Sequence, residues 1–575
     1  MKVTESYFKE LKEQILDSSK WINDKFVVFN HEAGTGKSRN THRIIGEMTK
    51  NQKHWVLYVQ RFSKENELDH TVAAINRHAG RKVAISFTGE DTKKVKSKEV
   101  IVEHQIICIT HQMYIQICKG EHQYLIRDRD MLIIDEYPDL LEKISISSAD
   151  IGRIWAECNK WRIPEMGGLA LVLRNLKDAE SSRHILSYID FPNDQYKQYV
   201  QAVKSAIKKL SDKNAKAYKG ILQKCLHLLT NGGFLFEDGF HTFDGSHQFV
   251  LLKNNIILDA NAAFDSRYKL CDKFVIHEQE KVYDYKKDTL HHFQIKTTKR
   301  SLKERDDFFQ LALKEVRFEG KRGILFVTDK ESVEKLKQEI VKLYKDNGNS
   351  IEEIEKRLDC NLGLDYFGNL IGVNRYREYD AVVMLKTPNY DYLAYALTYL
   401  YFRKMYNKPI ESVEMFKDEV VETIRRNIVG GEYYQTAKRV NRDNSQCADI
   451  YVFTDYQDAV DILIEQLPGI RYIQKHLFEE KESDKRGYDN TKRMQLSKKA
   501  KAKEVLLEAK KSGRQSMRKK ELRERLELSD DGSRISRILN DLEAESFLKE
   551  HGIRHHGQQI WFVDNSCESD LNESA

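Results

Sequence analysis

The chain has 575 residues, enough for three or four domains, and its 40% hydrophobic and 32% charged content suits a soluble globular protein rather than a disordered or fibrous one. Its 95 basic and 89 acidic residues nearly cancel to a net charge of +6, so bulk charge names no partner and only a local basic patch could argue for nucleic acid. No apolar run reaches membrane-spanning length, the start has no secretory pattern, and the eight cysteines show no Cys-x-x-Cys spacing, which leads us to expect a cytoplasmic protein with reduced thiols and no membrane, zinc or iron–sulphur framework.

Residues 1–22 place Tyr7, Phe8, Leu11, Ile15 and Trp21 at near-helical spacing, which predicts a lead-in helix. Phe26-Val-Val-Phe-Asn-His-Glu-Ala-Gly-Thr-Gly-Lys-Ser38 then describes a strand, a phosphate loop and a helix start. Gly34, Thr35 and Gly36 leave backbone N–H groups free to wrap phosphate oxygens, Lys37 is placed to reach the β- and γ-phosphates of ATP, and Ser38 to ligate Mg2+. His31 stands where the general pattern has its first glycine. Strands are expected at 54–62, 84–87 and 106–111 with helices between, the alternation of a parallel sheet. Met131-Leu-Ile-Ile-Asp-Glu-Tyr-Pro138 is a buried strand ending in two carboxylates. Asp135 can hold Mg2+ and Glu136 can take the proton of the water that attacks the γ-phosphate.

From 142 to 230 the alternation gives way to long Lys-rich helical stretches with interspersed Trp and Tyr, which predicts a helical insertion in a first domain of 1–141 and 231–285. The sheet is expected to resume at Phe249–Leu252 and 255–262. A second α/β domain, 286–480, has buried strands at Arg322–Asp329 and Asp380–Leu385. A polar linker, 481–497, leads to a basic, helix-rich module, 498–565, with a closing hairpin near His551–Val563, and an acidic tail of 566–575 expected to be disordered.

The order Gly34-Thr-Gly-Lys-Ser38, Thr110-His111, Asp135-Glu136-Tyr137-Pro138 and Gln435-Thr-Ala-Lys-Arg-Val-Asn-Arg442 resembles the superfamily 2 helicases of the DEAD/DEAH-like type. The resemblance implies two RecA-like α/β domains facing across a nucleotide, with Arg439 and Arg442 as arginine fingers and Gln435 near the γ-phosphate and its water. Planar cations brought from outside the loop are what the spreading transition-state charge requires. It also implies backbone contacts to nucleic acid by Gln60, Arg61, Phe62, Thr110 and Thr328, and a cleft role for the Gly-x-Asn element that contains Gly372. Asp259-Ala-Asn261 looks like the element that couples the two domains, although the family's serine and threonine are absent. The insertion resembles the arch of the nucleotide-excision-repair type without its cysteine cluster. The module 498–565 resembles a winged helix whose third helix would present Arg534 and Arg537 to a DNA groove.

These implications give an ATP-dependent, magnesium-using helicase or translocase whose partner is nucleic acid, DNA in preference to RNA, with the insertion or the winged helix open to protein partners. The alternatives are an ATPase that remodels protein–DNA complexes without unwinding, and a winged-helix DNA-binding regulator that uses its nucleotide as a switch.

Overall fold

The computed structural model describes residues 5–61, 66–89, 103–179, 184–210, 216–303, 305–370, 375–478, 501–526, 532–544 and 547–562. Contacts divide it into two compact units, Met1–Leu477 and Phe478–Ala575.

In the first unit, strands β1 (Phe26–Phe29), β2 (Val56–Gln60), β3 (Ala84–Ser86), β4 (Ile106–Thr110) and β5 (Met131–Asp135) join β10 (Asn254–Leu258) and β11 (Phe274–His277) in a seven-stranded sheet, order β11-β1-β10-β5-β2-β4-β3. Every pairing in it is parallel. Parallel strands covered on both faces need apolar side chains at consecutive positions. The two-residue period then sends Val28, Leu57, Val59, Ile107 and Ile134 to one core, and Val27, Phe29, Val56, Tyr58 and Ile133 to the other. The second half is also all parallel. Strands β12 (Thr289–Gln294), β13 (Ile324–Thr328), β14 (Leu362–Tyr366), β15 (Ala381–Met384), β17 (Asp449–Phe453) and β18 (Arg471–His476) follow the order β14-β13-β15-β17-β12-β18. Two parallel α/β sheets in one unit are the RecA-like pair that the sequence predicts.

The insertion is not purely helical. Helices Ser148–Trp161, Pro164–Ala179, Asn193–Lys209 and Lys216–Asn231 pack on an antiparallel sheet of β6 (Lys143–Ser147), β7 (Ile185–Ile189), β8 (Gly233–Phe236) and β9 (Gly239–Phe243). The β8–β9 hairpin, expected within the first domain, therefore completes the insertion. Phe249–Leu252 is no strand: its side chains pack against the first core from extended coil, and Asn255 takes up the Leu252 N–H and C=O through its amide. The second half sends a chain segment back to the insertion. Helix Tyr392–Met405 is buried along most of its length in the core that also holds Phe234 and Phe243, and β16 (Val413–Glu414) pairs with β7 to extend the insertion's sheet.

The second unit has its own core, built from Leu506, Leu522, Ile535, Leu539, Leu542, Ile553 and Ile560. Its order is a helix over 501–511, β19 (Ser516–Arg518), helices Lys519–Arg525, Gly532–Ala544 and Phe547–Glu550, then a hairpin of β20 (Ile553–His556) and β21 (Gln559–Phe562). The third strand, β19, pairs with β21. The linker and tail lie outside the described residues. Among the described residues no helix is long and apolar enough to cross a membrane.

Candidate nucleotide site and interdomain cleft

The phosphate loop leaves the carboxyl end of β1, where ligands of open parallel sheets sit. Thr35 folds the loop back, its hydroxyl donating to the Glu32 carbonyl at 2.7 Å. Gly36 then turns the chain at φ +87° into helix Lys37–Asn51. Its first N–H groups have no partner within the helix and offer an anion site. His31 fills the position of the missing first glycine as a core residue. Its ring lies against Phe8 at 4.8 Å and Tyr7 at 4.9 Å, and burial holds it neutral with a pKa of about 4.

The expected metal pair is in contact: the Ser38 hydroxyl donates to Asp135 Oδ2 at 2.6 Å. A hydroxyl and a single carboxylate at the end of a phosphate loop are the donors through which Mg2+ is held when phosphates and waters complete its shell, so these residues fit the ion. Burial, with Glu136 alongside, holds the Asp135 carboxyl above its usual range against the pull of Lys37 and Ser38.

Glu136 has a left-handed backbone, φ +71°, and donates its N–H to the Leu258 carbonyl at 3.0 Å. A side chain larger than glycine accepts that conformation at a cost of about 1–2 kcal/mol, and such strain gathers at working sites. Burial raises its carboxyl, but Arg61, Lys37 and Arg439 together outweigh burial and hold it below the usual range.

Across the cleft, helix Glu419–Ala437 delivers Gln435, and the turn after it delivers Arg439 and Arg442. Gln435 Oε1 and Arg439 Nε are buried and find no hydrogen-bond partner among the described residues. Buried polar atoms left in this way are costly, and a polar ligand between the halves would satisfy them. Burial and the neighbouring Arg442 lower Arg439 to about 10, while Arg442 feels the charges of both Asp135 and Glu136. The two arginines and the two carboxylates thus act on one another across the cleft. Gly34, at φ +91°, lies so close to the Arg442 backbone that a Cβ there would come within 2.1 Å of its carbonyl oxygen. Asn261 of the coupling element lies against Gly431, where an added Cβ would come within 3.2 Å of Asn261 Nδ2, and Asp259 accepts from the Asn261 N–H and the Tyr268 hydroxyl.

Sequence reasoning missed a second set of cross-cleft contacts. Glu32, 1% exposed, accepts from the Val282 N–H at 2.8 Å, the Tyr283 N–H at 3.2 Å and the Tyr285 hydroxyl. The Ala33 N–H donates to the Tyr434 hydroxyl at 3.3 Å, and the Tyr283 hydroxyl donates to the Gly34 carbonyl at 3.1 Å. Lys438 lies over the Tyr283 and Tyr285 rings at 4.8 and 4.7 Å, its pKa lowered to about 8 by burial against the opposing pull of Glu32. Three successive loop residues are thereby tied to the second half or the segment leading into it. The one sequence signal was an acidic residue inside a phosphate loop, a place with no use for negative charge facing the ligand.

Of the residues expected to contact nucleic acid, Arg61, Gln60 and Thr110 have partners within the chain. Arg61 pairs with Glu136, Nη1 to Oε2 3.3 Å. Gln60 is buried and accepts from the Thr71 hydroxyl at 2.8 Å. Thr110 caps helix His111–Cys118, accepting from the Met113 N–H. Thr328 is fully buried at the end of β13, its hydroxyl without a hydrogen-bond partner among the described residues. Phe62, Gly372 and the side chains of Arg534 and Arg537 lie outside the described residues.

No family model matches the chain, and no curated protein does. Solved structures do. Xpd4 of S. tokodaii superposes with a TM-score of 0.50 at 13% identity, over 82% of this chain and 100% of that one. Dbp5 of S. cerevisiae bound to RNA and ADP BeF3 gives 0.35 at 10% identity, over 79% and 86% of the two chains. The helicase Lhr of Mycobacterium smegmatis bound to ssDNA and AMP-PNP gives 0.34 at 9% identity, over 98% and 60%. At such identities the likeness is one of fold alone, and the fold is the one shared with Xpd4.

Proposed function

We propose that the chain hydrolyses ATP between its two parallel-sheet halves and uses the cycle to move along or unwind nucleic acid, DNA in preference to RNA. The observation that carries this reading is the facing of Ser38, Asp135 and Glu136 on one wall by Arg439 and Arg442 on the other, with Gln435 and Arg439 left short of partners. Mg2+, held through Ser38 and Asp135, would supply charge neutralisation on the phosphates. Lys37 and the loop N–H groups bind the phosphate oxygens. Gln435 positions the attacking water and Glu136 takes its proton as the water oxygen bonds to the γ-phosphorus and the bond to the ADP oxygen breaks. Arg439 and Arg442 stabilise the charge that develops, a contribution of about 10³–10⁵ in turnover where such fingers have been removed. Because the fingers come from the second half, hydrolysis is tied to cleft closure, and closure is what a strand bound to both halves would feel as movement.

The preference for DNA is supported by the second unit. Its order of helix, strand, helix, helix and hairpin is that of a winged helix, with Gly532–Ala544 as the groove helix carrying Arg534 and Arg537, and Trp561 exposed on the hairpin. The insertion, rooted between β5 and β10, stands where it could guide or separate strands, or meet a protein partner.

The test is ATP turnover by wild type and Glu136→Gln, each alone and with single-stranded DNA, single-stranded RNA or a forked duplex. Turnover that rises many-fold with DNA and vanishes in Glu136→Gln is the expected result. Absent turnover refutes the motor, and turnover indifferent to every nucleic acid moves the nucleotide-switched regulator to the front.

A further inference from the structure

Arg61 sits one residue past the carboxyl end of β2, and its guanidinium is turned onto Glu136. The pair is partly open to solvent, the side chains being 37% and 19% exposed, so an incoming anion can reach the arginine without unfolding anything. Glu136 has little freedom of its own. Its left-handed backbone and its N–H bond to Leu258 fix the direction in which the side chain leaves the chain, and only side-chain torsions decide between the arginine and a water at the phosphate. A carboxylate held by a guanidinium is turned away from any water at the phosphate. Phosphate competes well for that guanidinium because its oxygens accept the same forked pair of N–H groups. The neighbouring strand end acts on the same spot: His111, next to Thr110, has its Nε2 2.9 Å from the Asp135 carbonyl. Arg61 also acts across the cleft on Glu432, whose carboxylate meets the Tyr390 hydroxyl at 3.5 Å.

We infer that Arg61 is a positioning residue that holds Glu136 idle in the absence of nucleic acid and releases it when a strand phosphate takes the guanidinium. The inference rests on the motor reading above and names how that motor is kept from spending ATP unloaded. It changes the role of Arg61 from a passive backbone contact to an exchange between two partners, one catalytic and one on the track. A contact that only binds nucleic acid, or only supports the fold, would on removal lower turnover; an exchange partner on removal raises the unloaded rate.

The experiment measures ATP turnover by the full chain, with and without saturating single-stranded DNA and single-stranded RNA, for wild type, Arg61→Ala, Arg61→Gln, Arg61→Lys and the double variant Arg61→Ala/Glu136→Gln. Thermal unfolding of each variant confirms that it is folded. Arg61→Ala and Arg61→Gln are expected to raise unstimulated turnover about tenfold, a fraction of the 10²–10⁴ that a general base supplies, and to bring the stimulation ratio towards one. Arg61→Lys, which keeps a point charge without the fork, falls between them and wild type. The double variant falls to the level of Glu136→Gln alone, since the gain runs through that carboxylate. Unstimulated turnover that is unchanged or lower in both Arg61→Ala and Arg61→Gln, while wild type still responds to nucleic acid, overturns the exchange and leaves the motor standing. A double variant that keeps raised turnover overturns it too. A wild type without turnover, or deaf to every nucleic acid, overturns the motor reading and this inference with it.

Discussion

Gly34→Ala tests whether the closed cleft is built into the phosphate loop. The added Cβ would lie 2.1 Å from the Arg442 carbonyl oxygen, where a carbon–oxygen contact needs about 3.3 Å, so one wall must retreat by about 1.2 Å. The obstacle is backbone, which cannot swing aside as a side chain tip can. Gly36→Ala is the matched comparison, because it imposes the same left-handed strain, φ +87° against +91°, while its Cβ meets nothing nearer than Asn40 Nδ2 at 3.6 Å. Both variants bear about 1–2 kcal/mol of backbone strain, and Gly34→Ala alone bears the overpacking, about 1–3 kcal/mol more. Urea unfolding without nucleotide should therefore place Gly34→Ala below Gly36→Ala in stability by that difference. Displacement of Arg442 by about 1 Å should also cut kcat for ATP by about a hundredfold. Equal stabilities for the two variants, with turnover in Gly34→Ala close to wild type, would refute the contact as a determinant of closure.

Glu32→Ala removes the acceptor of two N–H groups and one hydroxyl, each buried donor left unpaired costing about 1–3 kcal/mol. Urea unfolding should show a loss of about 3 kcal/mol or more, and a loss below about 1 kcal/mol would mean that water replaces the carboxylate. Glu67, raised to about 7 by burial and by Asp135 and Glu136 against the pull of Arg439 and Arg442, stays protonated in the folded chain over a range where the unfolded chain has ionised it. Because the unfolded state then binds fewer protons, stability without nucleotide should fall as pH rises from about 5 to 7. Glu67→Gln should flatten that fall in a series of melting curves, and an unchanged slope would remove Glu67 from the account.

The two sheets were legible because parallel strands buried on both faces leave continuous apolar runs such as Val56–Val59 and Ile324–Val327, and glycine, lysine and acidic residues at their ends mark the ligand side. The insertion's strands were not. β6, Lys143-Ile-Ser-Ile-Ser147, alternates with its outward face exposed, and in a Lys-rich setting a short half-buried strand gives little signal against long helices. Phe249–Leu252 had the reverse problem, since an apolar run packs equally well as coil when its backbone groups find side-chain partners such as Asn255. In the candidate site, the Ser38–Asp135 contact joins two positions that the sequence pattern singled out one at a time. Glu32, Tyr283, Tyr285 and Tyr434 were not singled out, because their meaning lies in a pairing of segments some 250 to 400 positions apart. Thr110 and Gln60 show how residue types that often meet a phosphate backbone also cap a helix or bond a neighbour.

The two sides of the cleft are held by forces of different kind, and the difference says where it opens. On the side of the insertion, a single apolar core joins Phe26 and Leu132 of the first half, Phe234 and Phe243 of the insertion, and Tyr395, Leu400 and Ile424 of the second half, with β16 completing the insertion's sheet through the register Val413↔Leu186. Separating those surfaces would expose apolar area at about 25 cal/mol for each Å². On the side of the phosphate loop, the ties are hydrogen bonds, Ala33 to Tyr434, Tyr283 to Gly34 and the three donors on Glu32, each worth about 1 kcal/mol, with Ala33 and Phe264 packed against the core of the second half. A pivot about the insertion's core that parts the halves at the loop would break those ties and leave the shared core intact. In that motion Arg439 and Arg442 travel with the second half, away from Lys37 and Glu136, and the insertion remains at the pivot, rooted in the first half directly after Asp135 and Glu136 and strand-paired with the second. A rotation that separates Arg439 and Arg442 from the phosphate loop is thus one that the insertion's sheet must absorb at β16, the two-residue strand through which the second half pairs with the insertion.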